Sequence, residues 1–141
     1  MGSTVATELA GAGNDVAVID VSRRAFERLG GDFPGQVVLG SGTDQEVLEQ
    51  AGADKADCFI SVTNGDNRNI MSAQIAREIF SIPRVMTRIK DPIRAKVYQE
   101  IGLYTYCPTE IGVAIARTFF ASGKKEPKRR LPAAQGMPAN V

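Results

Sequence analysis

The sequence predicts an α/β domain in which helices cover both faces of a doubly wound, parallel sheet. From Asp15 onward, short β-branched runs alternate with helical segments, which is the pattern of successive strand–helix–strand units. These runs are apolar throughout instead of alternating, which is typical of strands covered on two faces. The chain has 141 residues, 43% of them hydrophobic and 23% charged, so it is long and apolar enough to build one core.

Five strands are predicted where β-branched and other apolar residues run together. The clearest is the run DVAVID, which ends in an acid, and the shortest is YTYC near the end of the ordered pattern. The predicted strands are residues 15–20, 36–39, 57–62, 84–89 and 104–107.

The segments before the first and third strands carry helix signals. Residues 2–10 have the composition of a helix that leads into the first strand. Thr43 and Glu46 have the spacing of a capping box, in which each side chain bonds the other residue's backbone N–H. This pattern predicts a helix that begins at Thr43 and stops at Gly52.

The central helix is predicted over residues 66–80. Met71, Ile75 and Ile79 recur every four residues, with Ala76 and Phe80 beside them, which predicts one buried apolar stripe.

The last two helices have clear start signals. Asp91 followed by proline predicts an N-cap and a first helical residue, and Gly102 predicts the end of that helix. A final helix over residues 109–121 is apolar on most of its circumference, so we expect it to lie in a core or against a partner.

The composition excludes several functional classes. The chain has no histidine, which removes Ser–His and Cys–His nucleophile pairs and histidine metal sites, so neither catalytic nor metal-ligating residues are predicted. Two cysteines are too few for a disulfide framework and favour a reducing compartment. A net charge of +1 gives no reason to expect a nucleic-acid partner. No apolar run is long enough for a bilayer, so a cytoplasmic protein is expected.

The first forty residues suggest part of a dinucleotide-binding unit. Such a unit has a strand, a glycine-rich turn at a helix N-terminus, and an acid about twenty residues later. Asp20 ends a predicted strand and lies eighteen positions after Gly2, so Gly2 would be the last glycine of that turn. The first strand and the earlier glycines would then precede Met1, and we expect a longer natural protein in which they are present.

Four stretches, taken in order, resemble one known family. DVAVIDVSRRAFERL, VVLGSGTDQEVLEQAGADKADCFISVTNGDNRNI, RVMTRIKDP and YCPTE are together similar to the RCK N-terminal domain (KTN, or TrkA-N) of potassium-uptake regulators. The resemblance implies a Rossmann-like fold, lacking its first strand here, that binds NAD(H) or the adenine nucleotides ATP and ADP. It also implies a non-catalytic regulatory subunit at the inner face of the membrane, bound to a potassium transporter or channel subunit. The helix at 109–121 would pack against a second copy in a dimer or ring.

The same resemblance implies which residues contact the nucleotide. Asp20 would hold ribose hydroxyls, Thr63 would line the cleft, and Arg88 would reach a phosphate. Ser41 stands where the family typically has an acid near adenine. The predicted contact residues are Gly2, Asp20, Ser41, Thr43, Thr63, Asn69 and Arg88.

Each assignment has a simpler alternative. Thr43 is explained by its capping box, Asn69 by the backbone groups of a turn, and Arg88 by neighbouring acids. For the whole chain, the alternatives are a fragment of an NAD(P)-dependent oxidoreductase, or a remnant that no longer binds nucleotide and acts only in assembly. Residues 1–122 are expected to form the domain, and the basic, proline-containing residues 123–141 a flexible tail.

Overall fold

The computed structural model describes residues 1–122, in which strands and helices alternate as the sequence predicts. All five predicted strands form, and four of them are shorter than predicted by one or two residues. The strands are β1 (Ala17–Asp20), β2 (Gln36–Leu39), β3 (Cys58–Ser61), β4 (Arg84–Arg88) and β5 (Tyr104–Tyr106).

The helices occupy the segments between the strands and follow the last one. They are α1 (Gly2–Gly11), α2 (Arg23–Phe26), α3 (Gln45–Gln50), α4 (Asp66–Glu78), α5 (Pro92–Glu100) and α6 (Pro108–Ala121), with short 3-10 turns at Glu27–Leu29 and Ala53–Lys55. Gly102 follows α5 with a φ of 91°, so it ends that helix in a left-handed conformation, as predicted.

Every strand pair is parallel, which confirms the predicted sheet type. β1 pairs with β2, and β3, β4 and β5 pair in that order. No ladder of backbone hydrogen bonds joins β1 to β3 within residues 1–122. In a doubly wound sheet the first strand lies between the second and the fourth, so the strand expected to precede these five would pair at this interruption.

One apolar core joins the two parts of the sheet. Leu48 of α3 and Ala76 of α4 are buried in it, and Ile19 of β1 and Phe59 of β3 pack against them. A second cluster is formed by Ile70, Ile89, Ala95 and Cys107, under α4 and α5. Because both parts of the sheet pack against the first core, the loops that follow β1 and β3 have a fixed position relative to each other.

The predicted apolar stripe of α4 is correct only in part. Ala76 lies in the first core, and Ile75 and Phe80 pack against it. Met71 and Ile79 are 55% and 53% exposed, whereas the buried residues of this helix are Asn69, Ile70, Ser72, Ala73 and Ala76. The prediction counted apolar residues only. Two polar residues, Asn69 and Ser72, lie on the buried face because both have hydrogen-bond partners there.

The predicted capping box at Thr43 is also wrong. The N-cap of α3 is Asp44, whose Oδ1 accepts a hydrogen bond of 3.0 Å from the backbone N–H of Glu46. The Thr43 hydroxyl lies instead 2.8 Å from the Ser41 hydroxyl.

Helix α6 contributes no buried residue to the part of the chain that the structure describes. The sequence predicted that this helix lies either in a core or against a partner, and within residues 1–122 it does not lie in a core. No helix in these residues combines the length and apolar character needed to cross a bilayer. The predicted tail, 123–141, lies outside the described residues.

Candidate functional site

The carboxyl ends of β1 and β2 bring Asp20 next to the loop that contains Ser41 and Thr43. The backbone N–H of Gly40 donates to the carbonyl oxygen of Asp20 at 2.9 Å, which continues the strand pairing into this loop. Asp20 Oδ1 accepts a hydrogen bond of 2.8 Å from the Ser22 N–H. Because this bond uses one carboxylate oxygen, the other is available to a ligand hydroxyl.

A small residue allows this loop to sit close to α3. A Cβ added at Gly40 would lie 2.6 Å from Val47 Cγ2, which is closer than any normal contact. The backbone of β2 therefore approaches α3 only because position 40 has no side chain.

The second part of the site lies at the carboxyl ends of β3 and β4. The Arg88 guanidinium donates through Nη2 to the carbonyl oxygen of Thr63 and, at 3.3 Å, to Asn64 Oδ1. Arg88 Nε is buried and has no partner among the described residues. The guanidinium is therefore held against the β3–α4 turn through Nη2, and its buried Nε–H has no partner among the described residues.

Asn69 lies beneath this turn and is completely buried. Its Oδ1 accepts from the Thr63 N–H and the Thr63 hydroxyl, each at 2.7 Å. Its Nδ2 donates to the carbonyl oxygens of Thr63 at 3.0 Å and Arg88 at 2.9 Å. The amide therefore joins the turn after β3 to the end of β4.

Gly2 lies beside the end of β3. A Cβ added at Gly2 would be 3.5 Å from Val62 Cγ2, an ordinary contact, so the surroundings of Gly2 leave room for a methyl group. Helix α1 begins here without a side-chain cap and without an acid in its first turn. Its first N–H groups therefore have no intrahelical or side-chain acceptor, which is the arrangement that suits an anion.

Contacts connect the seven predicted residues in two groups. Hydrogen bonds join Thr63, Asn69 and Arg88, and the shared loop joins Asp20 to Ser41 and Thr43. The β2–α3 loop, which belongs to one group, lies close to α4, which belongs to the other. A Cβ added at Gly42 of this loop would be 3.8 Å from the Cβ of Ser72. Gly2 joins the second group through Val62.

The sequence reasoning missed two residues that build the end of β4. Asp66 Oδ2 accepts from the backbone N–H groups of Lys90 at 3.0 Å and Asp91 at 3.2 Å. Lys90 Nζ donates to the Asn64 carbonyl oxygen at 2.7 Å. The acid at the start of α4 was a readable signal, because first-turn acids are typical of helix N-termini. The role of Lys90 depends on a contact across 26 positions.

The donors and acceptors at this rim fit an adenine dinucleotide or mononucleotide. If such a nucleotide bound here, the Asp20 carboxylate would accept from its ribose hydroxyls, and the N–H groups at the start of α1 and the Arg88 guanidinium would donate to its phosphate oxygens. If NAD bound here, its nicotinamide ring could take part in hydride transfer, whereas ATP, ADP or AMP has no group that can carry a hydride.

Comparisons with known proteins agree with this architecture. The model of the TrkA-N domain family matches residues 1–107. The chain is 47% identical over 105 residues to the Trk system potassium uptake protein TrkA of Streptomyces coelicolor, a match that covers 74% of this chain and 47% of that protein. The chain therefore spans about half the length of this relative.

Two solved structures have the same fold. The Shewanella denitrificans Kef CTD in AMP bound form gives a TM-score of 0.70 at 18% identity and covers 86% of this chain and 76% of that one. The NAD(P)-binding domain of an exopolyphosphatase-related protein from Archaeoglobus fulgidus gives 0.64 at 20% identity, covering 89% and 91%. With the family model matching three quarters of its length, the chain belongs to the TrkA-N domain family.

Proposed function

We propose that this chain is a non-catalytic, nucleotide-sensing domain that regulates a potassium uptake system. NAD(H) is the ligand we favour, with ATP and ADP as the other adenine nucleotides that the rim suits. The observation that carries the proposal is the placement of an acid at the carboxyl end of β1 and of a partly unpaired arginine at the carboxyl end of β4, on strands that the apolar core joins. Ligands of open α/β sheets bind at this rim.

Each residue of the rim has a role that its chemistry allows. Asp20 accepts from ribose hydroxyls, and Ser41 and Thr43 present hydroxyls beside it. Thr63 lines the cleft, and Arg88 pairs with phosphate through a charge-assisted hydrogen bond. Gly2 brings the backbone N–H groups of α1 to the same phosphate.

The relatives support a partner in the membrane. The similar Streptomyces protein is named for potassium uptake by the Trk system, and one similar structure was solved with AMP bound. We infer that the chain works in the cytoplasm at the inner face of the membrane, attached to a potassium transporter or channel subunit. Nucleotide binding would then change that subunit's activity, because a ligand shifts the state it binds better.

Helix α6 is the surface that we assign to self-association. Ile111, Ile115 and Phe119 recur every four residues and are 50%, 66% and 69% exposed. An apolar helix stripe of this kind is typical of a protein–protein interface. A second copy of the chain is the proposed occupant, in a dimer or ring that is built through residues 109–121.

Titration with nucleotides tests the proposal. NADH, NAD, ATP and ADP are each added up to millimolar concentration while the thermal midpoint and the heat of binding are measured. At a concentration of 100 Kd, a ligand specific to the folded state adds about 2.7 kcal/mol to stability. Absence of any shift would favour an assembly remnant, and turnover of NADH with carbonyl substrates would favour an oxidoreductase.

A further inference from the structure

Asn69 has no hydrogen-bonding capacity left for a ligand. A side-chain amide carries two donors, and its oxygen has two lone pairs. Both donors are used, by the carbonyl oxygens of Thr63 and Arg88, and the oxygen accepts from Thr63 and, at 3.2 Å, from the Ser61 hydroxyl. Because the side chain is also fully buried, its contribution to binding has to pass through other residues.

The residues that it contacts are those at the rim. The Thr63 N–H donates to Asn69 Oδ1, and Asn69 Nδ2 donates to the carbonyl oxygens of Thr63 and Arg88. The Arg88 guanidinium then returns to the same Thr63 carbonyl oxygen. Asn69 and the Arg88 guanidinium therefore share the Thr63 carbonyl oxygen as an acceptor. Together with the bond from Asn69 to the Arg88 carbonyl oxygen, these contacts link the turn after β3 to the end of β4.

We propose that Asn69 is a positioning residue, which sets the spacing between the β3–α4 turn and the end of β4 and thereby aims the Arg88 guanidinium at the phosphate. This inference rests on the proposed nucleotide site. The Arg88 guanidinium is held by Nη2, which donates to the Thr63 carbonyl oxygen and to Asn64 Oδ1, and its buried Nε has no partner among the described residues. Because Asn69 bonds both Thr63 and the Arg88 backbone, a small displacement of either one moves the whole guanidinium.

The test replaces Asn69 with aspartate, which keeps the shape and the acceptor and removes both donors. Asn69→Ser is a second variant that brings no charge into the buried position. Ser72→Ala is the matched control, because it removes buried hydrogen bonds of the same helix, to Ser61 at 2.7 Å and to the Asn69 carbonyl at 3.1 Å, without touching Thr63 or Arg88. Calorimetry with NADH and ADP gives the affinities, each variant also being made in an Arg88→Ala background.

We expect Asn69→Asp and Asn69→Ser to weaken nucleotide binding about tenfold or more, and Ser72→Ala less than threefold. In the Arg88→Ala background, the loss caused by either Asn69 variant should shrink to less than twofold, since the two residues act through one contact. The positioning role would be overturned if the Asn69 variants bound nucleotide as tightly as the wild type. It would also be overturned if they weakened binding as much in the Arg88→Ala background as in the wild-type background.

A second readout separates this inference from the proposed function. The NMR signal of the Arg88 Nε–H in the ligand-free protein should move in both Asn69 variants and stay in place in Ser72→Ala. If the wild-type chain bound neither NADH nor ADP, the proposed function would fail, and this signal would still decide the role of Asn69. An unmoved Arg88 signal would overturn it.

Discussion

The Ser41 and Thr43 hydroxyls lie 2.8 Å apart at the carboxyl end of β2. The Ser41 hydroxyl also accepts from the Thr43 N–H at 3.3 Å, so the two residues form a local turn ahead of α3. Because Asp44 is the N-cap of α3, the Thr43 side chain does not cap this helix. Both hydroxyls are thereby turned toward each other, next to Asp20.

Replacing Asp44 with alanine should lower the free energy of unfolding by about 1 kcal/mol, because the Glu46 N–H loses its acceptor. Thr43→Ala should lower it by less than half as much. Urea unfolding of both variants gives the comparison. A larger loss for Thr43→Ala would restore the capping box that the sequence predicts.

Asp20→Asn should weaken NADH or ADP binding about tenfold or more, since a neutral amide is a poorer acceptor for ribose hydroxyls than a carboxylate. Calorimetry measures the dissociation constant. Asp57→Asn is the control, as it makes the same substitution just before β3, at the opposite end of the sheet. Equal affinities of the wild type and Asp20→Asn would remove Asp20 from the site.

Thr87→Val should stabilise the protein by about 1 kcal/mol. Thr87 is fully buried in β4, and its hydroxyl has no partner among the described residues, so the variant removes a polar group that is costly to bury. Thr105→Val is the comparison, because the Thr105 hydroxyl donates to the Ala95 carbonyl at 3.3 Å and its loss should destabilise. A Thr87→Val variant less stable than wild type in urea would mean that the hydroxyl is satisfied.

Ile115→Glu should convert the proposed dimer or ring to monomers, since it places a charge in the exposed apolar stripe of α6. Sedimentation velocity over a range of concentrations measures the change. Arg117→Gln lowers the net charge by the same single unit on the opposite side of the helix and should leave the assembly intact. A wild-type chain that is monomeric at all concentrations would rule out the interface.

Local patterns predicted the element order well. Each β-branched run became a strand, and Asp91 caps α5 through the N–H groups of Ile93 and Arg94, as its position before proline suggests. These features depend on neighbours a few positions away, so the sequence carries their full cause. The sequence did not predict that Asn69 of α4 is buried, because one of its hydrogen-bond acceptors, the Arg88 carbonyl oxygen, lies nineteen positions later.

By itself, the sequence determined the alternation of strands and helices and the parallel sheet, because periodicity, caps and turn residues act over short distances. The order of four sequence stretches carried the likeness to the TrkA-N family. Tertiary structure alone decided that the polar residues Asn69 and Ser72 of α4 are buried, and that Lys90 and Asp66 build the end of β4. Those outcomes depend on hydrogen bonds between segments that meet only when the strands are side by side, and a buried polar group goes where its partners are.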